Sequence, residues 1–475
     1  MKQLDVYLNR HFRAVFWFLI GACFLAYLAL IGGDYIWTDE SFSIAMVKHS
    51  FREIWKITAM DNHPPLYYWY LKAITAPWSY SFTAAKIASI LPYILVMIFG
   101  GYQFRKYFNE RTGILFVVLF FCFPFLLAYS IEVRMYSLAS TLVFICAFFA
   151  YRFRVEQGRN TDMAGLIIFG VLAAYTHNFA FAAVCMIYGL LFLAIITGSP
   201  CLLKRWALSA ILSLVLYAPW LFAFIAQLTD KVQNGYWIDD ITKKTLINYW
   251  RVMFGAGGFA KYQWFFSLAY LLCFVWVLSR KEKRDTWLSI CCILVPVGVL
   301  TAGILASVII CPVFVIRYLL PSVPLLIAFM AIVLGKMTNE MLFGGIMSIV
   351  LIGGISNYAV FINSEYNTHN YVPIEQYRDV DAYIVPSDSH VSGTLGYYVA
   401  DKTIYAEKDL YAANVYPNRV LLEELSFDSV DSAILLLPAK KTPPEEYCEV
   451  YDITSLGQWK CERVMDAFLL TKKAR

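Results

Sequence analysis

The chain has 475 residues, of which 60% are hydrophobic and only 15% charged, with 17% aromatic. Soluble domains hold about 25% charged residues, so this balance excludes a soluble enzyme, a disordered chain and a coiled coil. The net charge of +5 does not mark a nucleic-acid binder, because the basic residues lie in short loops between apolar runs and not on one face. The composition is that of an all-α polytopic membrane protein.

A bilayer core of about 30 Å needs roughly 20 apolar residues per helix. Runs of that kind lie near 14–33, 81–102, 112–130, 136–153, 163–177, 178–198, 207–228, 262–279, 286–310, 318–335 and 341–362, giving about eleven spans. The first run has basic flanks like a signal peptide. No small-x-small cleavage site precedes Gly32-Gly33-Asp34, so it is expected to stay as a span. Lys and Arg collect in alternate loops: Lys2, Arg10 and Arg13; Arg105, Lys106 and Arg111; Arg152, Arg154 and Arg159; Lys204 and Arg205; Arg280, Lys281, Lys283 and Arg284; Lys336. The positive-inside rule then places the N-terminus in the cytoplasm and, with an odd number of spans, the C-terminus outside a cytoplasmic membrane.

The first outward segment, 34–80, carries titratable groups in a defined frame. Thr38 or Asp39 is placed to cap a helix, and Phe42, Ala45, Met46, Ile54, Trp55 and Ile57 predict an amphipathic helix along the membrane face. Next comes Asp61-Asn62-His63-Pro64-Pro65-Leu66-Tyr67-Tyr68. Pro64 forces His63 to be extended, and the prolines open a second helix. Asp39, Glu40, Asp61 and His63 thus sit at the ends of short helices at the membrane surface. Carboxylates there serve as general bases or hold a divalent cation; the plain alternative is solvated loop charge. No short ligand spacing demands a metal, so a divalent cation held by Asp39, Glu40, Asp61 and His63 is optional, and no other cofactor is indicated.

Further along, Glu132 and Arg134 lie in a turn of about six residues between two apolar runs, where a charge is costly unless paired. They either pair with each other at the interface or offer Arg134 to an anionic headgroup. Lys86 lies one turn into the second span, His177 in the turn Tyr175-Thr176-His177-Asn178, and Arg317 beside Tyr318 at the mouth of a late span. An Arg fork suits phosphate oxygens, while interfacial anchoring is the other reading of Arg317. A second long outward segment, 228–261, holds Tyr236, Trp237, Asp239 and Asp240 as acceptor-side candidates by location.

After 363 the composition turns polar. Strand-like runs at Asp381–Val385, Ala433–Leu437 and Ala467–Thr471 alternate with helical stretches near 391–400 and 418–426, which predicts a small α/β extracytoplasmic domain over 363–475 beside a membrane domain over 1–362. Nine of the eleven cysteines lie in or beside apolar runs, and only Cys448 and Cys461 fall in the tail, where an oxidising compartment would let them pair.

Taken together, Asp-Glu just after the first span, Asp-x-His-Pro-Pro-Leu-Tyr-Tyr, Glu132-Val133-Arg134-Met135-Tyr136, Tyr175-x-His177 and Arg317-Tyr318 resemble the motifs of GT-C glycosyltransferases, in order, over roughly 30–360. The chain is similar in particular to protein O-mannosyltransferases and the lipid A aminoarabinose transferase. The resemblance implies transfer of a sugar from a polyprenyl-phosphate donor to a lipid, glycan or protein acceptor at the outer membrane face, with inversion. It implies Asp39 as base with Glu40 beside it. Asp61, His63, Lys86, Glu132, Arg134, Tyr136, His177, Arg317 and Tyr318 are implied at the donor sugar and phosphate. Relatives often carry Arg where this chain has Lys86. The competing reading is a transporter or flippase of lipid-linked sugars. Against it, transporters gather ionisable groups near the bilayer midplane, whereas those of this chain cluster at span ends.

Overall fold

The computed structural model describes residues 2–235, 237–255, 263–278, 286–387, 389–407 and 415–474. Tyr236 and the basic run Arg280, Lys281, Lys283 and Arg284 lie outside the described residues. The chain forms two compact units. One comprises Met1–Ile31, Asn62–Tyr67 and Lys86–Asn363; the other comprises Gly32–Asp61, Tyr68–Ala85 and Ser364–Arg475.

The first unit is helical. Each expected apolar run falls on a helix: Lys2–Ala29, Phe82–Tyr107, Glu110–Cys122, Tyr136–Val155, Asn160–Ala174, Asn178–Gly198, Leu203–Asn234, Gln263–Leu278, Thr286–Ile309, Val323–Lys336 and Glu340–Asn367. Among the described residues eight helices are long and apolar enough to cross a membrane, while Asn160–Ala174 and Gln263–Trp276 are apolar but shorter. The run expected over 112–130 is broken. Its helix stops at Cys122, Phe123 turns extended, and Pro124 opens the short helix Pro124–Ala128. A residue before proline avoids the helical region, which accounts for the break.

Small residues let these helices approach closely. A side chain on Gly113 would meet the Gly101 carbonyl oxygen at 2.5 Å, so that crossing tolerates no larger residue. The late span begins irregularly, with Ile316–Ser322 wound as a 3-10 turn ahead of Val323–Lys336. Irregular backbone at membrane depth survives where protein satisfies its carbonyls. Here the Ser140 hydroxyl donates to Leu320 O at 2.8 Å and the Tyr249 hydroxyl donates to Phe314 O at 2.8 Å. These bonds set the position of Arg317 and Tyr318.

The second unit is built on a six-stranded sheet. Its strands are β1 Ala382–Val385, β2 Thr403–Ala406, β3 Arg419–Leu421, β4 Ser432–Pro438, β5 Tyr451–Cys461 and β6 Arg463–Lys472, in the order β3-β2-β1-β4-β6-β5. Pairing is parallel from β3 to β4 and antiparallel from β4 through β6 to β5. Strands β1 and β4 are buried on both faces, which is why they read as unbroken apolar runs. Helix Ser389–Tyr398 supplies Val391 and Leu395 to one face, while Tyr447 and Tyr451 cover the other.

The helix expected near 391–400 is thus present, but that expected near 418–426 is not. Arg419–Leu421 pairs with β2 instead, and only Leu422–Glu424 winds, as a 3-10 turn. Parallel pairing overrides a weak local propensity there. Cys448 is exposed, Cys461 is buried, and both are free thiols.

The amphipathic helix expected after Asp39 is two helices, Thr38–Met46 and Phe51–Met60. Ser50 divides them with a capping box, its hydroxyl accepting the Glu53 N–H while the Glu53 carboxylate accepts the Ser50 N–H. Neither Thr38 nor Asp39 caps the first helix. The cap position is Trp37, and Thr38 is already helical.

Candidate active site

Asp39 and Glu40 lie in the first turn of helix Thr38–Met46, and Asp61 is the C-cap of helix Phe51–Met60. The Ser43 hydroxyl donates to Asp39 O at 2.9 Å, and Glu40 and Asp61 are buried. All three belong to the unit that holds the sheet.

His63 belongs to the helical unit, because the chain crosses into it at Asn62–Tyr67. Two hydrogen bonds stitch this segment to the turn between helices Asn160–Ala174 and Asn178–Gly198. The Asn178 side-chain amide donates to Asn62 O at 3.0 Å, and Leu66 N–H donates to Tyr175 O at 3.1 Å. The prolines make this possible: they hold 62–65 out of helix, and the helix Leu66–Thr75 starts afresh.

His177 caps its own helix, with Nδ1 accepting the Phe179 N–H at 3.0 Å. An accepting Nδ1 carries no proton, so in the neutral ring the hydrogen sits on Nε2. That Nε2 is buried and finds no hydrogen-bond partner among the described residues, and the same holds for His63 Nδ1 and the Tyr136 hydroxyl.

Four of the sequence candidates form one aromatic cluster. The His63 and His177 rings stack at 5.4 Å, Tyr318 stands edge-on to His177 at 5.1 Å, and Tyr136 lies 6.0 Å from His177. Three cations bear on it. Burial first, and then the charges of Arg134 and Arg317, push the pKa of His177 down to about 3, with Lys231 contributing. Burial, Arg134, His177, Lys231 and Arg317 hold His63 well below the usual histidine range. Both imidazoles are therefore neutral at pH 7.

The cluster opens on a cavity of about 310 Å³ whose lining includes Asn62, His63, His177, Lys231 and Tyr318, continued by apolar residues such as Ala306 and Ile310. The lining thus combines one cation, Lys231, and a few polar side chains with a largely apolar wall.

Arg134 is buried in a tight turn, where its N–H donates to Glu132 O at 2.7 Å. Glu132, Arg134 and Arg317 all lie close enough to Tyr136 to act on it electrostatically. The Arg317 guanidinium also stands over the Trp237 ring, 5.5 Å from its centroid. Trp237, expected as an acceptor-side residue by location, is therefore engaged with a candidate phosphate ligand. Lys86 is buried in its helix. Lys231 was not singled out by the sequence, since it falls at the end of the long helix Leu203–Asn234 with no motif around it. The one available signal was a lysine one helical turn past an apolar span.

Among the described residues no group of three or more His, Cys, Asp or Glu side chains is placed to hold a metal ion, so the set Asp39, Glu40, Asp61 and His63 does not gather as one.

Residues 62–222 match the family model described as dolichyl-phosphate-mannose-protein mannosyltransferase. A comparison with curated proteins finds no match. Among solved structures the chain is similar to ArnT from Cupriavidus metallidurans in the apo state, with TM-score 0.64 and 11% identity over 95% of this chain and 97% of that one. The same protein bound to undecaprenyl phosphate gives TM-score 0.64 and 13% identity over the same shares. The oligosaccharyltransferase of Archaeoglobus fulgidus, in complex with Zn and sulfate, gives TM-score 0.50 and 12% identity over 88% of this chain and 68% of that one. These identities speak for the fold. The chain thus shares the fold of these proteins, the fold its motifs led one to expect, and among the described residues it carries eight helices long and apolar enough to cross a membrane.

Proposed function

We propose that this protein transfers a sugar from a polyprenyl-phosphate carrier to an acceptor at the outer face of the cytoplasmic membrane. The observation that carries this reading is the convergence of Arg134, Arg317 and Lys231 on two neutral histidines that line a partly apolar cavity. Such a site suits a phosphate attached to a hydrocarbon chain, and a structural relative of the same fold is bound to undecaprenyl phosphate.

In the reaction, the acceptor hydroxyl or amine attacks the anomeric carbon while the bond from that carbon to the phosphate oxygen breaks. The lipid phosphate leaves with the electron pair, and its growing charge is stabilised by Arg134, Arg317 and Lys231, with Lys86 as a further cation. Asp39 takes the proton from the nucleophile, and Glu40 supports it. A single displacement inverts the anomeric centre. Neutral His63, His177, Tyr136 and Tyr318 offer hydrogen bonds and ring faces to the sugar, with Asp61 and Glu132 at its edge.

The reading keeps 1–362 as the catalytic membrane domain, with loops 34–80 and 228–261 and the 363–475 domain outside and the N-terminus inside. The test is transfer or hydrolysis by detergent-solubilised protein given synthetic polyprenyl-phosphate sugars. Tight donor binding with neither reaction, for any sugar offered, would favour a carrier of lipid-linked sugars.

A further inference from the structure

Helix Thr38–Met46 lacks an N-terminal cap of its own. The residue at the cap position, Trp37, makes no side-chain cap bond, and an indole N–H can only donate. The first-turn N–H groups of a helix need acceptors, and a negative charge there is favoured by the helix dipole. Both needs are met by a residue 424 positions away. The Glu462 carboxylate accepts the Thr38 N–H at 2.8 Å and also the Thr38 hydroxyl, and the Thr394 hydroxyl donates to the same oxygen at 3.3 Å.

Glu462 is itself held in an unusual state. It sits at the apex between β5 and β6 with φ of 64°, in the left-handed region that a glutamate rarely adopts. Its N–H donates to Asn370 Oδ1 at 2.8 Å, and Asn370 Nδ2 donates to Ile36 O at 2.7 Å, just ahead of the helix. Strain of this kind persists where the surroundings enforce it, and it points to a purpose that glycine would not serve. Ser41 Oγ lies 3.1 Å from the Tyr416 hydroxyl, and His49 Nε2 lies 3.0 Å from Val415 O, so the same helix meets the sheet again further along.

We infer that Glu462 is a positioning residue for Asp39, capping from the C-terminal sheet the helix on which Asp39 stands. The inference rests on the proposed role of Asp39 for its enzymatic consequence, but not for the capping itself. It gives the C-terminal domain a part in the reaction, because the orientation of the base depends on a carboxylate that arrives at the end of the chain.

The experiment uses the full-length protein in detergent, with E462G, E462Q and T38V. E462G removes the carboxylate while relieving the left-handed strain, so the sheet should melt no lower than in the wild type. Hydrogen exchange should then quicken about fivefold or more in peptides covering 38–46, and stay unchanged in the helical unit. With a synthetic polyprenyl-phosphate sugar, kcat should fall about tenfold while the donor KM stays within about twofold. E462Q, which keeps an acceptor oxygen, should recover part of both. T38V combined with E462G should cost little more than E462G alone.

Unchanged exchange over 38–46 in E462G would overturn the inference, as would faster exchange with kcat intact. A wild-type protein that transfers no sugar would sink the enzymatic reading only, and the exchange result would still decide whether Glu462 holds the helix.

Discussion

Cations that are buried or half-buried occur at both ends of the helical unit, in different surroundings. At the end carrying Arg111 and Asp162, each cation is spent on protein. Arg111 donates to the carbonyls of Gly335 and Met337 at the end of a neighbouring span, and the Arg152–Asp162 pair is closed at 2.7 Å with Asp162 fully buried. At the end carrying His63 and His177, burial first and then three cations keep two histidines neutral beside a cavity. The first arrangement closes on protein groups, and the second faces the cavity-lining histidines that the proposed function gives to the donor.

That contrast makes separable predictions. Removing the proposed base gives the biggest change: Asp39→Asn should cut transfer by roughly 10³-fold with little change in melting or donor binding. Turnover within a few-fold of wild type in the reconstituted assay would take the base role away from Asp39. Arg134→Ala should lower donor affinity and rate together by roughly 10²-fold, read by donor titration and single-turnover rates, with modest loss of stability. Its counterpart at the opposite end, Arg152→Ala, should reverse that pattern. It strands a buried Asp162 carboxylate and should cost about 3–5 kcal/mol, seen as a drop in melting temperature, while donor affinity in the surviving folded protein is unchanged.

The neutral histidines predict an acid response. An unfolded histidine takes up its proton near 6.5, whereas His177 in the folded protein waits until about 3. Between those values the unfolded chain binds the extra proton, so the stability present above pH 6.5 is lost as pH falls, by roughly 2 kcal/mol at pH 5. His177→Phe should flatten that part of the slope in melting curves taken from pH 7.5 to 5. An identical slope would mean that His177 takes up its proton at the same pH in the folded and the unfolded chain. The mildest effect is expected of Lys231→Ala, a few-fold weaker donor binding with stability retained, because a flexible ammonium contributes mainly as a point charge.

Much of this molecule is legible in its residues. Runs of apolar side chains long enough for a bilayer read directly as helices, since hydrocarbon leaves the backbone no other way to satisfy its polar groups. The break at Phe123–Pro124 and the extended His63 follow from proline geometry. Lys231 is less visible, because nothing next to it in sequence distinguishes it from any lysine at a span end. The helix predicted at 418–426 failed because a three-residue strand is decided by its partner, β2, and not by its own composition.

The order of residues along the chain was enough to set the class of protein, the succession of its apolar helices and the residue types that gather at their ends. These are local properties, imposed by hydrocarbon, by proline and by the cost of buried charge. It took folding in three dimensions to stack His63 on His177, to bring Lys231 to two arginines from distant loops, and to set Glu462 against Thr38. Those contacts join segments remote in sequence, and no local preference selects a partner hundreds of residues away; packing does.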